Sequence, residues 1–369
     1  MGALELRPLA TGAREVELGV DAGALDLPTL APAELAALER AVYTHLVVVV
    51  REQQHLSPRD QLALTRRFDP TAEDYGHGNR PDILGQSVLK RDLVSIPDCP
   101  QVKLLGNGRV RDHEGIADVE LRHPSHRSYH HTPLTDADEA AGFTRFYRWH
   151  MDAALYDLHP PRVTTLLALH VPGPREQTVR YDDGSGDTLT VPLATTAFVS
   201  GEQAYVGLSE WQRDFALATR VRYAPHPYVW ITHARARSNG LGLVSEGREL
   251  SRRDLPEFTP DKVTTLPLVW VNPVTGRRSL QVHASCIEDL IVDGRPVGDL
   301  TECRRLLYDL MRPAIAPARV YAHPWRTGDL VLFNNRAVWH SVVGSLRPDD
   351  LRVYHQCNLA SATAPQGAR

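Results

Sequence analysis

The pattern of apolar and polar positions predicts two helices and one buried strand near the start of the chain. Residues 32–43 carry apolar side chains at helical spacing, which is typical of an amphipathic helix. Residues 46–51 form a short apolar run of the length expected for a buried strand. Ser57 then supplies an N-cap before a proline at the first helical position, so we expect a second helix to about Arg67.

Strands dominate the prediction for the rest of the chain. Helices are expected only at residues 209–218 and 300–311, where the spacing of apolar side chains is again helical. The predicted strands are residues 14–20, 143–149, 163–171, 228–233, 263–271, 280–283, 320–323, 330–333, 337–343 and 351–358. Short strands separated by Gly and Asn turns predict a mainly β fold with flanking helices, whose core is a double-sheet jelly roll.

One long segment, residues 75–138, shows no clear period. It is polar and rich in Gly, Pro and His, and segments of this length without periodicity are commonly involved in binding. We therefore expect residues 1–369 to form one domain. We expect the segment to be an insertion that makes an active-site lid or loop.

Composition narrows the class of protein. The chain has 369 residues, a formal net charge of −4 and 42% hydrophobic residues, which is ordinary for a globular protein and gives no electrostatic reason to expect a nucleic-acid partner. No signal-peptide pattern opens the chain, and its longest apolar run is too short to span a membrane. The four cysteines lack paired spacing, which favours a reducing, cytoplasmic setting (Cys99, Cys286, Cys303, Cys357). Nothing in the pattern indicates an oligomeric state.

Three ligand-type residues could form one metal site. His150 and Asp152 are separated by one residue, so in a strand both side chains point to the same face. His340 would complete a set of two imidazoles and one carboxylate, which suits a non-haem Fe(II) centre with open coordination positions. Arg352 follows, and a guanidinium binds a carboxylate in a bidentate fork. A histidine beside a tryptophan is more often a core residue, so the single residues carry little weight alone.

The ordered set is more specific than its parts. His150-x-Asp152, then Thr178, His340 and Arg352 in that order, resembles the taurine dioxygenase-like family of Fe(II)/2-oxoglutarate enzymes. The resemblance extends to residues 46–51 with the helix that follows, and to residues 325–336, which lead into His340. It therefore covers most of the chain.

The resemblance implies a fold, a cofactor and a role for each matched residue. The core would be the double-stranded β-helix, also called the jelly roll or cupin-like fold. The two histidines and Asp152 would hold Fe(II), with 2-oxoglutarate and O2 as cosubstrates. Arg352 would bind the distal carboxylate of 2-oxoglutarate, and Thr178 would add a hydroxyl hydrogen bond to it. Arg347 and Thr188 are the nearest competitors, but both lie in sequences typical of loops.

The last predicted strand points to the substrate. By the period of two, Gln356 and Asn358 share a face with Arg352. In taurine dioxygenase the position of Gln356 is an arginine that binds the anionic group of the substrate. Neutral amides match the N–H and C=O edge of a heterocycle better than a sulfonate, although strand-end hydrogen bonding would also explain them.

Four short segments favour one branch of the family. Residues 121–127, 146–150, 153–158 and 355–358 resemble the fungal xanthine hydroxylases, which convert xanthine to urate with Fe(II) and 2-oxoglutarate. The resemblance makes a set of residues candidates for contacting a purine-like substrate, namely Gln101, Arg122, Asp138 or Glu139, Gln356 and Asn358. Arg122 stands where that branch has lysine, which puts the identity of the purine in doubt.

Three alternatives remain open at this point. Arg122 with Asp138 or Glu139 could instead be a surface ion pair in a loop. The same oxidative chemistry could act on another small metabolite. A non-catalytic metal-binding barrel is the third possibility, although every ligand position holds a competent residue. The histidines at 123, 126, 130 and 131 lack a carboxylate or cysteine at ligand spacing, so they do not favour a second metal site.

Overall fold

A computed structural model describes residues 4–11, 15–74, 85–89 and 94–368. The helices in these ranges are Pro32–His45, Pro58–Arg67, His126–Tyr129, Asp136–Ala140, Gly201–Val206, Glu210–Ala218, Pro227–Trp230 and Leu300–Met311, with 3-10 turns at Leu27–Thr29, Arg252–Asp254, Pro260–Lys262, Arg312–Ile315 and Pro317–Arg319. The strands are β1 (Arg7–Pro8), β2 (Val20–Ala24), β3 (Val47–Arg51), β4 (Val94–Ile96), β5 (Cys99–His113), β6 (Ile116–Leu121), β7 (Phe143–Thr144), β8 (Val163–His170), β9 (Glu176–Arg180), β10 (Thr188–Pro192), β11 (Thr196–Ser200), β12 (Thr219–Tyr223), β13 (Thr265–Pro267), β14 (Val269–Val271), β15 (Arg278–Leu280), β16 (Ile287–Val292), β17 (Arg295–Pro296), β18 (Tyr321–His323), β19 (Leu330–Asn334), β20 (Val338–Val342) and β21 (Arg352–Asn358).

Two sheets enclose the core that carries the site. The larger sheet has the strand order β1-β2-β3-β19-β8-β21-β5-β4, with β6 paired to β5, and the smaller has the order β18-β11-β20. Apolar side chains from both sheets pack into one cluster, including Val49, Leu166, Phe198, Phe333 and Tyr354. This packing of two sheets face to face confirms the predicted jelly roll, or double-stranded β-helix.

Helices cover the outer face of the larger sheet. Val48 and Val50 alternate with the inward-facing valines of β3 and pack outward against Leu38 and Val42 of the first helix. The observed helix begins at Pro32, as predicted, and the helix Leu300–Met311 has the predicted bounds. The mainly β architecture with flanking helices is therefore confirmed. No helix within the described ranges has the length and apolar character needed to cross a membrane.

Some predicted elements differ in the structure. Residues 228–233 were expected to be a strand, but Pro227–Trp230 is a helix. Its four residues are all buried, and a short run that is apolar on every side does not distinguish a strand from a buried helix. The expected strand at 143–149 is reduced to β7 and one isolated bridge at Phe146. The strand expected from residue 14 begins at Val20, with residues 12–14 outside the described part.

The segment 75–138 contains more regular structure than its composition indicated. β5, the longest described strand, pairs with β21 and folds back as a hairpin onto β6. Glycines at positions 106 and 108 interrupt its apolar alternation, which concealed the strand in the sequence. Residues 75–84 and 90–93 of the segment lie outside the described part, so its role as a lid stays a prediction.

Candidate active site

Main-chain hydrogen bonds bring the two distant histidines together. The amide of His150 donates to the carbonyl oxygen of His340 at 3.0 Å, and the amide of His340 donates back at 2.9 Å. His340 lies on β20 of the smaller sheet, and this reciprocal pair fixes the 146–152 segment beside it. The two imidazole rings consequently lie 4.2 Å apart between centroids.

The side chains of His150, Asp152 and His340 converge on one point. Oδ1 of Asp152 lies 3.8 Å from Nε2 of His150 and 3.6 Å from Nε2 of His340. One ligand atom from each of the three lies within 4.8 Å of the others, and no second such cluster occurs among the described residues. Two imidazoles and one carboxylate are the donor set of non-haem Fe(II) centres.

His150 is oriented as a ligand by a hydrogen bond, and burial keeps both histidines neutral. The Nδ1 atom of His150 donates to the carbonyl oxygen of Arg148 at 2.9 Å, which leaves Nε2 free for a metal. Burial, reinforced by His340 and Arg148, lowers the pKa of His150 well below its usual value. Burial also lowers the pKa of His340. The imidazoles are therefore neutral, as metal coordination requires.

Asp152 is positioned by Gln356 and by two residues that sequence reasoning did not single out, Thr164 and Asn335. Thr164 on β8 donates its hydroxyl to Oδ2 of Asp152 at 2.7 Å, and Gln356 donates to the same oxygen at 3.3 Å. Asn335 accepts from the Asp152 amide and donates to its carbonyl, both at 2.8 Å. The only sequence signal for Asn335 is its place in the run that precedes His340. Thr164 carries no signal beyond being polar in an apolar strand.

Arg352 is buried beside the metal ligands. It begins β21, is 1% exposed, and its Nε and Nη2 atoms have no hydrogen-bond partner in the described part of the chain. Its backbone is held close to β5, because a Cβ on Gly106 would lie 1.8 Å from the carbonyl oxygen of Arg352. A buried guanidinium with free donors fits the distal carboxylate of 2-oxoglutarate.

These residues line a single cavity. Its wall combines the three metal ligands, cations, an amide and apolar side chains: Leu89, Leu105, Gly106, Arg122, Pro124, Tyr147, Arg148, His150, Asp152, Leu166, Thr196, His340, Val342, Arg352 and Gln356. Of the residues predicted from the sequence, Arg122, Gln356, Arg352 and the metal triad therefore meet here. Arg148 and Thr196 were not predicted.

The structure does not bring Thr178 to this cavity. Thr178 lies on β9, which pairs with β10 and β7 in a separate sheet, and its amide bonds to Gly142. Thr196 on β11 lines the cavity instead. Spacing along the chain could not decide between two threonines on different strands, because only the sheet arrangement determines which hydroxyl faces inward.

Asp138 and Glu139 form ion pairs away from the cavity lining. Asp138 caps its own helix through Thr135 and pairs with Arg180 at 2.8 Å. Glu139 lies 2.7 Å from His126 and also pairs with Arg127. Both acids are ion-paired, but their partners are not Arg122, which lines the cavity instead. The charges that drew attention in the sequence are neutralised locally.

Gln101 and Asn358 lie on strands of the cavity wall but not in the cavity lining. Asn358 ends β21, the strand that carries Gln356, and is almost buried opposite Thr164. Gln101 lies on β5 next to Val102, which pairs with Cys357. Neither side chain lines the described cavity. Both lie on the strands that form its wall, further from Arg352 than Gln356 is.

Comparison with known proteins is consistent with this geometry. Residues 5–357 match the model of the family described as taurine catabolism dioxygenase TauD, TfdA family. An alpha-ketoglutarate-dependent xanthine dioxygenase of Neurospora crassa is 50% identical over 360 residues, covering 96% of this chain and 86% of that protein. One of Emericella nidulans is 48% identical over 363 residues, covering 98% of each.

A solved structure shows the same fold at low sequence identity. A taurine dioxygenase from Burkholderia xenovorans superposes with a TM-score of 0.58 at 20% identity, covering 99% of this chain and 93% of the other. The family model and the relatives both span nearly the whole chain. The protein therefore belongs to the taurine catabolism dioxygenase TauD, TfdA family.

Proposed function

We propose that this protein is an Fe(II)- and 2-oxoglutarate-dependent dioxygenase that hydroxylates xanthine, or a close purine, to urate. One oxygen atom of O2 would enter the purine, and the other would enter succinate as 2-oxoglutarate loses CO2. The observation that carries this proposal is that the His150–Asp152–His340 triad, Arg352 and Gln356 line one cavity.

The triad is the part of the site that would hold iron. When bound there, Fe(II) supplies the means to activate O2 for oxidation of a carbon centre. The neutral Nε2 atoms of the two histidines and Oδ1 of Asp152 face the same point. Thr164 and Gln356 donate hydrogen bonds to the other oxygen of Asp152. Asp152 is thus oriented by its neighbours before any ion arrives.

The cosubstrate site rests on Arg352. Its free Nε and Nη2 donors would bind the distal carboxylate of 2-oxoglutarate, since leaving them unpaired in a buried place is costly. Thr196 lines the same cavity and replaces Thr178 as the proposed hydroxyl contact. Thr196 already accepts from the indole of Trp325 at 3.2 Å, so its own hydroxyl proton is free to donate.

The substrate would occupy the remaining part of the cavity. Gln356 offers a primary amide close to Asp152, and Arg122 adds a cation at the exposed side of the wall. Amide and guanidinium donors match the keto oxygens of an oxopurine. The relatives reported above are named as xanthine dioxygenases, which supports the same substrate here. Gln101 and Asn358 stay predictions as more distant contacts.

Two further proposals concern the covering segment and the setting. Leu89, Arg122 and Pro124 line the cavity, so we propose that the segment 75–138 covers it and that the whole chain works as one domain. All four cysteines are free and buried. Free thiols fit a reducing compartment, and we propose a cytoplasmic location.

A purine panel tests the proposed activity. Purified protein with Fe(II), 2-oxoglutarate and O2 is offered xanthine, hypoxanthine, guanine and adenine. Succinate formation reports turnover of each purine, and ultraviolet absorbance identifies the urate formed from xanthine. We expect xanthine-dependent urate with one succinate formed per urate. If the protein binds Fe(II) and 2-oxoglutarate but turns over none of these purines, the substrate is another small metabolite. Failure to bind iron at all would favour the non-catalytic barrel.

A further inference from the structure

Four arginines of the described chain are almost fully buried, and they divide into two pairs. Arg145 pairs with Asp182 at 2.7 Å, and Arg304 pairs with Glu249. Arg148 and Arg352 have no carboxylate partner among the described residues, and each has two guanidinium nitrogens without a hydrogen bond. The two arginines without acids both line the cavity that holds the metal triad.

Burying a cation without a partner costs free energy, which a bound anion or acceptor can offset. Arg352 is accounted for by the distal carboxylate of 2-oxoglutarate. That single carboxylate does not explain Arg148, which is 4% exposed and lies two residues before His150. Since Nε and Nη1 of Arg148 are unpaired, a second acceptor group is expected in the same cavity.

Three tyrosine rings hold the Arg148 guanidinium in place. Its Cζ lies 5.7 Å from the ring centroids of Tyr129 and Tyr147, and 5.5 Å from that of Tyr228. Cation–π contacts of this kind stabilise the charge, but they do not use the N–H groups, which point outward in the guanidinium plane. The Arg148 amide also donates to Oγ of Ser341 at 3.1 Å, which fixes the backbone.

We propose that Arg148 is the cation that anchors the substrate, by hydrogen bonding to a keto oxygen of the purine. This inference rests on the proposed function and adds a recognition residue to it. An oxopurine that loses a ring proton spreads the negative charge onto its keto oxygens. A desolvated guanidinium binds such an oxygen more strongly than the neutral amide of Gln356 does. Arg148 therefore selects for oxopurines, whereas Arg352 selects for the keto acid.

Substrate affinity measured without turnover tests this role. Protein loaded anaerobically with Fe(II) and 2-oxoglutarate is titrated with xanthine, and the change in the metal-to-ligand charge-transfer band gives the Kd. We expect Arg148→Met to raise the Kd for xanthine about tenfold or more, while the band itself and the affinity for 2-oxoglutarate are unchanged. Arg148→Lys keeps the charge but loses the planar fork, so its Kd should lie between those of wild type and Arg148→Met.

The control is Arg253→Met, the same replacement at a side chain that is 88% exposed and outside the cavity lining. A xanthine Kd for Arg148→Met within about twofold of wild type would overturn the role of Arg148. Loss of the charge-transfer band in both Arg148 variants would also overturn it, since the residue would then support the iron centre. If xanthine does not change the charge-transfer band of the wild-type protein, the result would contradict the proposed substrate instead. In that case the same titration with the purine that does bind decides on Arg148.

Discussion

The two pairs of buried arginines show how a protein core differs from a binding cavity. Arg145 and Arg304 are neutralised by acids of the same chain, so their charges are satisfied in the folded protein. Arg148 and Arg352 are equally buried, but within the described ranges they keep donors without partners beside the metal triad. The first pair contributes to the fold, while the second is arranged for ligands. Unpaired buried cations therefore mark the ligand sites more sharply than burial alone.

Among changes to the cavity, removing a metal ligand should have the largest effect on activity. Asp152→Ala deletes the only carboxylate of the triad, so we expect urate formation to fall to background and the anaerobic charge-transfer band to disappear. Asp254→Ala, at a side chain that is 55% exposed, is the matched control and should retain both. Normal turnover by Asp152→Ala would show that the cavity is not the reaction site.

Stability measurements separate the two arginine pairs directly. Arg304→Met leaves Glu249 buried without its partner, and we expect the free energy of unfolding to fall by about 3–5 kcal/mol in urea denaturation. Arg352→Met removes a charge that has no acid partner among the residues the structure describes, so the ligand-free protein should be no less stable than wild type. An equal loss of stability in both variants would contradict the distinction drawn here.

The affinity for 2-oxoglutarate tests whether Arg352, a buried arginine without an acid partner in the described part of the chain, binds a ligand. Arg352→Met should raise the KM for 2-oxoglutarate about a hundredfold, because a bidentate charge-assisted contact is lost. Arg352→Lys should recover part of that loss, since it restores the charge without the fork. Steady-state kinetics with 2-oxoglutarate as the varied substrate measures both. A KM close to the wild-type value in Arg352→Met would place the distal carboxylate elsewhere.

Two buried histidines also differ in whether they have an acid partner within the described ranges, and here the expected effect on stability is the smallest. His126 is paired with Glu139, whereas His130 has no acid partner among the described residues, and burial lowers the pKa of His130 to about 3. Below its usual pKa the unfolded chain takes up a proton at this position that the native protein does not, so stability falls as pH decreases. We expect His130→Gln to reduce the loss of unfolding free energy between pH 8 and pH 6 by about 1 kcal/mol. An unchanged pH dependence would contradict this.

The metal centre was predictable because its signals are local and ordered. The period of two places His150 and Asp152 on one face, and the motif order supplies His340 and Arg352. The last three strands were also predicted nearly to the residue, because short apolar segments there are separated by clear turn sequences. The triad motifs and the last strands could be predicted because each depends on a short stretch of sequence.

The residues that were missed depend on relations between distant strands. Thr196 faces the cavity and Thr178 does not because they belong to different sheets, which the chain spacing does not reveal. Arg148 is visible in the sequence only as one basic residue in a matched motif. Its importance comes from lacking an acid partner in the described part of the chain, which only the folded arrangement of its neighbours reveals. Asp138 pairs with Arg180 and does not line the cavity, so its contact with the substrate stays a prediction.

The reciprocal main-chain contact between residues 150 and 340 has a practical consequence. Backbone atoms, not imidazoles, join the two segments, so the position of the two histidines relative to each other does not depend on the ion. Ion exchange should therefore require little rearrangement of the polypeptide. A redox-inert divalent ion such as Zn²⁺ should then replace iron at the triad, giving stalled ternary complexes with xanthine that survive in air and are suitable for crystallography.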